Sequence, residues 1–367
     1  MVKKIILKVI VLLFIFMILL IGCVSDTGTL MKSENIYNSN IQSKMSKYID
    51  DYSSKDKFSG TVIVAKDNEV ILEKGYGMAD YNNKIVNKPK TVFEIASITK
   101  QFTATAILML QEKNLLSVQD TVDKYIPDYP EGKKIKIYNL LSQTSGIIDY
   151  SQPSEKGKLT YTPLEIIELF KNKPRKFETG TKYEYSSSNY ILLGYIIEKV
   201  SGMKYEQYLE RNIFKPLKLN NTGFLSNKMI TKNRAIGYAL SENSSKYTPA
   251  SNEENSTLYS AGGIYSTVND LYTWGNALFE GKLISKESLN EMLTPVLNTY
   301  GYGYGLIISK NAMEDKMVWH NGTLSGYSSY IGKNINKDYV FIILSNKGSY
   351  NVVQMVSGLT DILEVEK

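Results

Sequence analysis

Apolar and polar positions change their period twice along the chain. Residues 58–66 and 70–76 are rich in β-branched residues and flank an Asp-Asn turn, which predicts a two-stranded hairpin. From Ser97 onward, apolar residues recur at three- and four-residue spacing, which predicts a helix packed against a core. After about residue 300 the strand period returns, and the Tyr-Gly alternation of residues 300–305 predicts a strand with every Tyr on one face.

Local signals place further elements between and after these segments. Thr162 and Thr267 are predicted helix caps, and the apolar residues between 190 and 200 predict a helix that ends at Ser201-Gly202. Residues 317–319, 326–332 and 339–344 read as strands, and residues 352–365 as a helix. Strands at both chain ends with helices between them predict an α+β fold, in which an antiparallel sheet is built from both termini and an all-α lobe is inserted.

The N-terminus has the pattern of an export signal. Three lysines, Lys3, Lys4 and Lys8, precede an uncharged apolar run over residues 9–21, which is shorter than the roughly 20 residues that a bilayer span needs. The segment 20–23 then resembles a bacterial lipobox. We therefore expect a lipoprotein signal peptide over residues 1–22, lipidation of Cys23 and a flexible tether over residues 23–40, which would hold the protein on the extracytoplasmic face of the cell membrane. An uncleaved transmembrane anchor remains the alternative.

Composition removes several classes of function. The chain carries 43 basic and 37 acidic residues, a net charge of +6 that is too small and too dispersed to favour nucleic acid as a partner. One His and one Cys cannot supply the three or four ligands of an ordinary zinc site. The sequence thus predicts no metal and no cofactor, and its chemistry must come from its own side chains.

One S-x-x-K segment is a candidate for nucleophilic chemistry. Residues three apart lie on one helix face, so Lys100 would stand beside the hydroxyl of Ser97 and could take its proton if burial lowered the pKa of the amine. Two further matches begin at Ser54, in a polar stretch, and at Ser201, at a helix end. Only Ser97 begins a long apolar-faced helix, where a buried Lys without a partner would be unfavourable.

The surroundings of Ser97 resemble the active-serine segment of the serine β-lactamase and penicillin-binding protein superfamily, in particular its class C-like branch. Five more stretches agree with that superfamily in the expected order, which strengthens a single weak motif. The resemblance implies a β-lactamase-like catalytic domain over residues 41–367, with an α/β part at about 41–95 and 295–367 and a helical part at about 96–294. The six matching stretches are residues 59–65, 93–104, 140–146, 185–194, 261–267 and 320–322.

The resemblance also implies roles for three residues. Ser97 would be the acylated nucleophile, and Lys100 its proton partner. Tyr185 would exchange protons with the serine and the leaving group, as phenol or phenolate. Because a phenol titrates near 10 in water, the phenolate would require a cationic neighbour such as Lys100 to lower its pKa.

A second group of residues would bind the substrate. His320, the only His, falls where the family carries K-T-G or H-x-G, and is expected to form an electrostatic and hydrogen-bonding wall. Gly322 would permit the close approach of substrate. The backbone N–H groups of Ser97 and Thr323 would form the oxyanion hole.

The chain departs from the family pattern at several points. Ser187 stands where the second motif usually ends in Asn, and an alternative alignment takes residues 187–189 as a class A-like S-x-N. Gln143 stands where the branch often has His, which indicates a structural position. No separate deacylating Glu is identifiable, so efficient β-lactam turnover does not follow.

The sequence therefore predicts a membrane-tethered serine acyl hydrolase whose partners are small-molecule or cell-wall substrates. D-alanyl peptides or esters of the envelope are the expected acyl donors. The alternatives are a β-lactamase, an esterase that removes D-alanine from teichoic acids, and a slow penicillin-binding sensor that acylates but barely releases. A Ser-His-Asp hydrolase is disfavoured because the chain has no G-x-S-x-G elbow.

Overall fold

The computed structural model describes residues 39–55, 58–150, 160–224, 233–240, 247–250, 255–297, 301–311, 313–348 and 350–365. The predicted signal peptide, Cys23 and all but the last two residues of the predicted tether lie outside the described residues. Residues 39 and 40 begin a helix, α1, which covers residues 39–54 and which the patterns above did not predict. Within the described ranges, no helix is both long and apolar enough to cross a bilayer.

Six antiparallel strands form the main sheet, and they come from both ends of the sequence. Their spatial order is β10-β11-β12-β13-β1-β2, so the N-terminal hairpin lies beside the last strand of the chain. This arrangement confirms the predicted sheet built from both termini. The strands are β1 (Gly60–Lys66), β2 (Glu69–Tyr76), β10 (Ile307–Lys310), β11 (Lys316–Leu324), β12 (Tyr327–Asn334) and β13 (Tyr339–Ser345).

The hairpin of β1 and β2 closes through the predicted Asp-Asn turn. Asp67 and Asn68 both have positive φ, 51° and 63°, as a tight turn between twisted strands requires. Successive residues of β1 then point to opposite faces of the sheet. Val62 belongs to the core formed with α1 and the C-terminal helix, whereas Ile63 belongs to the core formed with the helical lobe.

Helices occupy much of the chain between the two parts of the sheet, as predicted, and short strands that the sequence did not predict lie among them. Thr162 forms the predicted capping box with Glu165, and Thr267 accepts a hydrogen bond from the Asp270 N–H at 3.2 Å. Gly202, with a φ of 68°, ends the helix that covers residues 187–201. The helices are α2 (Thr99–Glu112), α3 (Ile137–Leu141), α4 (Pro163–Glu168), α5 (Ser187–Ser201), α6 (Tyr205–Leu209), α7 (Lys215–Leu217), α8 (Asn255–Gly262), α9 (Val268–Phe279), α10 (Lys286–Met292) and α11 (Val352–Glu364). The short strands are β3 (Met78–Asp80), β4 (Ile85–Val86), β5 (Phe93–Glu94), β6 (Gly223–Phe224), β7 (Tyr238–Leu240), β8 (Tyr247–Pro249) and β9 (Ile264–Ser266).

The predicted Tyr-Gly strand is wrong over its described residues, 301–305. Gly301 and Gly305 have left-handed φ values of 58° and 71°, and Tyr302 makes only an isolated bridge to Ile307, where β10 begins. A Cβ on Gly305 would lie 2.7 Å from the carbonyl oxygen of Lys100. The glycines therefore let an irregular segment pack directly on the backbone of α2, which alternation alone does not reveal.

Candidate active site

Ser97 lies in a single 3₁₀ turn, Ala96–Ile98, between β5 and the start of α2. Ala96 adopts a φ of 49°, unusual for a residue with a Cβ, and Ser97 is the one residue of this turn that is not fully buried. Its side chain lines a cleft of about 180 Å³. The turn thus presents the hydroxyl to solvent at the N-terminal end of a buried helix, where the helix dipole favours developing negative charge.

Lys100 lies in the first turn of α2 and is 0% exposed. Its Nζ donates to the Ser97 Oγ at 3.1 Å and to the carbonyl oxygen of Ala261 at 2.8 Å. Burial lowers the pKa of Lys100 to about 7, and the carboxylate of Asp149 opposes that shift. The neutral amine is therefore populated near pH 7, so Lys100 can accept the proton of the serine.

Tyr185 covers the other side of this amine. The Lys100 Nζ lies 4.8 Å from the centroid of the Tyr185 ring, and the Ser97 hydroxyl interacts with the phenol. Burial raises the pKa of Tyr185 well above its ordinary value, although the interaction with Ser97 lowers it in part. A phenolate at Tyr185 would require Lys100 to lower the pKa of the phenol, and the structure does not meet this condition. Tyr185 is a neutral phenol that can donate and relay a proton.

His320 lies in β11, buried behind the tyrosine. Its Nδ1–H donates to the Asn321 carbonyl oxygen at 2.6 Å, so Nε2 is free to accept from the Tyr302 hydroxyl at 3.2 Å. Burial and the nearby Lys100 lower the pKa of His320 to about 3. The imidazole is therefore neutral at physiological pH. It acts at the edge of the site through its hydrogen bonds to Tyr302 and Asn321 and not through a charge.

Gly322 lets β11 approach the turn that carries the nucleophile. A Cβ at this position would lie 2.3 Å from the Ile95 carbonyl oxygen and 2.8 Å from the Cβ of Ala96. Ser329, on the neighbouring strand β12, donates to the same Ile95 oxygen at 2.8 Å. The close approach that Gly322 permits is thus between two backbone segments. The next residue, Thr323, lines the cleft together with Ser97.

The structure distinguishes the two alignments of the second motif. Ser187 lines the cleft, and its backbone N–H donates to Asp149 Oδ1 at 2.8 Å. Asn189 is fully buried, accepts from Ser145 at 2.6 Å and donates to Gln143 at 2.6 Å, so its amide is part of the interior. Tyr185 therefore contacts Ser97 and Ser187 shares its cleft, whereas the Asn of the S-x-N alternative is buried away from it. Gln143 holds this interior network, as expected for a structural position.

Three groups at the site were missed at the level of sequence. The carbonyl oxygen of Ala261, in a stretch that resembled the family, accepts a hydrogen bond from Lys100. The hydroxyl of Tyr302, from the misassigned Tyr-Gly segment, donates to His320. Asp149 lies at the rim of the cleft. None of these contacts follows from local spacing, because each partner is distant or irregular in the chain. Across the part of the chain that the structure describes, no three His, Cys, Asp or Glu side chains cluster as metal ligands would.

Comparisons with known proteins agree with this geometry. Residues 45–356 match the family described as Beta-lactamase. The chain is 38% identical over 257 residues to the putative penicillin-binding protein PbpX of Bacillus subtilis (strain 168), a match that covers 70% of this chain and 64% of that protein. It therefore spans slightly less than two thirds of this relative's length.

Two solved structures share the fold over most of the chain. The octameric penicillin-binding protein homologue from Pyrococcus abyssi has a TM-score of 0.79 at 30% identity, covering 88% of this chain and 77% of that one. The D-stereospecific amidohydrolase from Streptomyces sp. has a TM-score of 0.74 at 25% identity, covering 86% of this chain and 98% of that one.

Proposed function

The chain belongs to the superfamily of serine β-lactamases and penicillin-binding proteins, which are serine hydrolases, and we propose that it acts through an acyl-enzyme on Ser97. The proposed acyl donors are D-alanyl peptides or esters of the cell envelope. The relatives support this choice, since they include a putative penicillin-binding protein, a penicillin-binding protein homologue and a D-stereospecific amidohydrolase.

A single observation carries the proposal. A fully buried amine with a pKa of about 7 lies 3.1 Å from a partly exposed serine hydroxyl at the mouth of a cleft. An amine of ordinary pKa would be protonated at neutral pH and could not accept the serine proton. Burial of Lys100 thus supplies a general base without a histidine.

The chemistry follows from these positions. As the Ser97 oxygen attacks the substrate carbonyl carbon, its proton passes to Lys100, and the carbonyl oxygen takes the negative charge near the proposed N–H groups of Ser97 and Thr323. Cleavage of the bond to the leaving alcohol or amine then forms the ester on Ser97, and the leaving group takes a proton relayed by Tyr185. Water then attacks this ester and gives one proton to Lys100; the bond to the Ser97 oxygen breaks, that oxygen takes the proton from Lys100, and the carboxylic acid is released.

We further propose that the protein is exported and held on the extracytoplasmic face of the membrane by a lipid on Cys23. The support is sequence-based: an apolar run of thirteen residues, followed by the only cysteine of the chain. Growth with radiolabelled palmitate should label the wild-type protein. A Cys23→Ser variant should remain unlabelled and should be found in the culture medium. A labelled Cys23→Ser variant, or an unlabelled wild type that retains its full N-terminus, would contradict the lipid anchor.

The acyl-enzyme is tested by intact-mass time courses with a D-alanyl ester, a D-Ala-D-Ala peptide and penicillin side by side. We expect an adduct on wild type and on Ser201→Ala, which alters another S-x-x-K serine, and none on Ser97→Ala. No adduct from any of the three substrates would contradict the proposal. An adduct from penicillin alone that persists for hours would instead identify the slow penicillin-binding sensor.

A further inference from the structure

We propose that the cleft of Ser97 selects acyl donors that carry a free α-ammonium group, with Asp149 as the residue that recognises it. This inference rests on the proposed function and narrows its substrate class to D-aminoacyl esters and amides whose amino group is unblocked. Donors whose corresponding nitrogen is acylated, such as a D-Ala-D-Ala peptide or a penicillin, would lack this interaction, and a substrate carboxylate near Asp149 would be repelled.

The charge of the cleft carries the argument. The described residues that line it are Ala96, Ser97, Asp149, Tyr150, Ser187, Leu258, Ala261, Gly262, Thr323 and Leu324. Asp149 supplies the only formal charge among these side chains, and it is exposed. A substrate group that binds beside it therefore gains if it is cationic and loses if it is anionic.

Asp149 is also held in place. The backbone N–H of Ser187, at the start of α5, donates to Asp149 Oδ1 at 2.8 Å. This contact fixes the carboxylate at the cleft wall, and Oδ1 retains a second lone pair while Oδ2 can accept a further hydrogen bond. The charge of Asp149 acts on both Lys100 and Tyr185, so the carboxylate lies within electrostatic range of the reacting groups.

The basic side chains described near the site, Lys100 and His320, are not placed to bind a substrate carboxylate. Lys100 is fully buried, and its Nζ is engaged with Ser97 and Ala261. His320 is 2% exposed, and its two ring nitrogens are engaged with Asn321 and Tyr302. Neither side chain lines the cleft, so a substrate carboxylate would have no cationic partner among the described residues of the cleft.

The test compares methyl esters that differ in one group. D-Alanine methyl ester carries the ammonium, whereas D-lactic acid methyl ester replaces it with a hydroxyl of similar size. We expect wild type to favour the alanine ester in kcat/KM by about tenfold, as for one charge-assisted hydrogen bond. Raising NaCl to about 1 M should reduce that preference, because exposed charges are screened.

Asp149→Asn keeps the acceptor for the Ser187 N–H and removes only the charge. We expect this variant to lose the preference, so that its kcat/KM values on the two esters become nearly equal, whatever its absolute rate on either ester. Glu280→Gln removes a distant exposed charge and should leave the preference intact.

Equal rates of wild type on the two esters, or a preference that 1 M NaCl leaves unchanged, would overturn the inference and leave the acyl-enzyme standing. An Asp149→Asn variant that slows the hydrolysis of both esters equally would likewise overturn the inference and leave the acyl-enzyme standing. Failure of wild type to acylate Ser97 with either ester would instead overturn the proposed function and this inference together.

Discussion

Replacement of Lys100 by Met should inactivate the protein and stabilise it. Burial lowers the pKa of Lys100 from 10.5 to about 7, so the charged amine is disfavoured in the folded state by about 5 kcal/mol relative to the unfolded state. Met fills a similar volume without charge, but it leaves the Ala261 carbonyl without its donor, which costs about 1–3 kcal/mol. We therefore expect Lys100→Met to be more stable than wild type by about 2 kcal/mol at pH 7.

The pH dependence gives the sign of this effect. Since the folded pKa lies below the unfolded one, the unfolded protein binds the extra proton between about pH 7 and 10.5. Wild type therefore gains stability from Lys100 as pH rises through this range, and the advantage of the Met variant should shrink by about 2 kcal/mol between pH 7 and pH 9. Urea unfolding at both pH values measures the difference.

Acylation is measured on the same samples. Loss of a general base lowers a rate by about 10²- to 10⁴-fold, so formation of the Ser97 adduct should slow to that extent. Lys204→Met, which alters the exposed lysine of another S-x-x-K motif, should change neither stability nor acylation. A Lys100→Met variant that acylates within tenfold of wild type, or that is less stable by the same amount at both pH values, would refute the reasoning.

Three further substitutions probe the rest of the site. Tyr185→Phe keeps the buried ring and removes the proton relay, so adduct formation in single-turnover assays should slow about 100-fold; unchanged rates would remove the phenol from the mechanism. His320→Ala removes a buried, neutral imidazole that lies behind the cleft and bonds Tyr302, so a fluorophosphonate should still label Ser97, about tenfold more slowly. Complete loss of labelling in a folded variant would show that the imidazole does more. Gly322→Ala places a Cβ 2.3 Å from the Ile95 carbonyl oxygen and should lower the free energy of unfolding by about 2 kcal/mol. Gly275→Ala is the matched control, because its Cβ would meet only a side chain at 3.5 Å, and it should not lower the free energy of unfolding. Equal denaturation midpoints for the two glycine variants would contradict the close-approach argument.

Structural features that depend on contacts between residues close in sequence could be predicted from the sequence. The Asp-Asn turn, the Thr162 capping box and the Gly202 helix end each depend on residues within four positions of one another. The Ser97–Lys100 pair belongs to the same class, because one helical turn brings i and i+3 together.

Elements defined by distant contacts could not be predicted in this way. The Tyr-Gly segment alternates as a strand would, yet its glycines adopt positive φ because the segment packs on α2. Likewise, the pKa values of Lys100 and Tyr185 move in opposite directions through the burial of both groups, and burial at this depth is a property of the assembled lobe. The sequence therefore predicted that Ser97 and Lys100 lie side by side, but not the protonation state of the phenol beside them.

The most direct test of the account is the rate at which a fluorophosphonate labels Ser97 as a function of pH, with the labelled residue identified by peptide mass. The account predicts a single adduct on Ser97 whose rate of formation rises with pH, with a midpoint near 7, as Lys100 loses its proton. A label on any other residue, or a rate on Ser97 that is constant from pH 5 to about pH 9, would contradict the central claim that a buried neutral amine activates this serine.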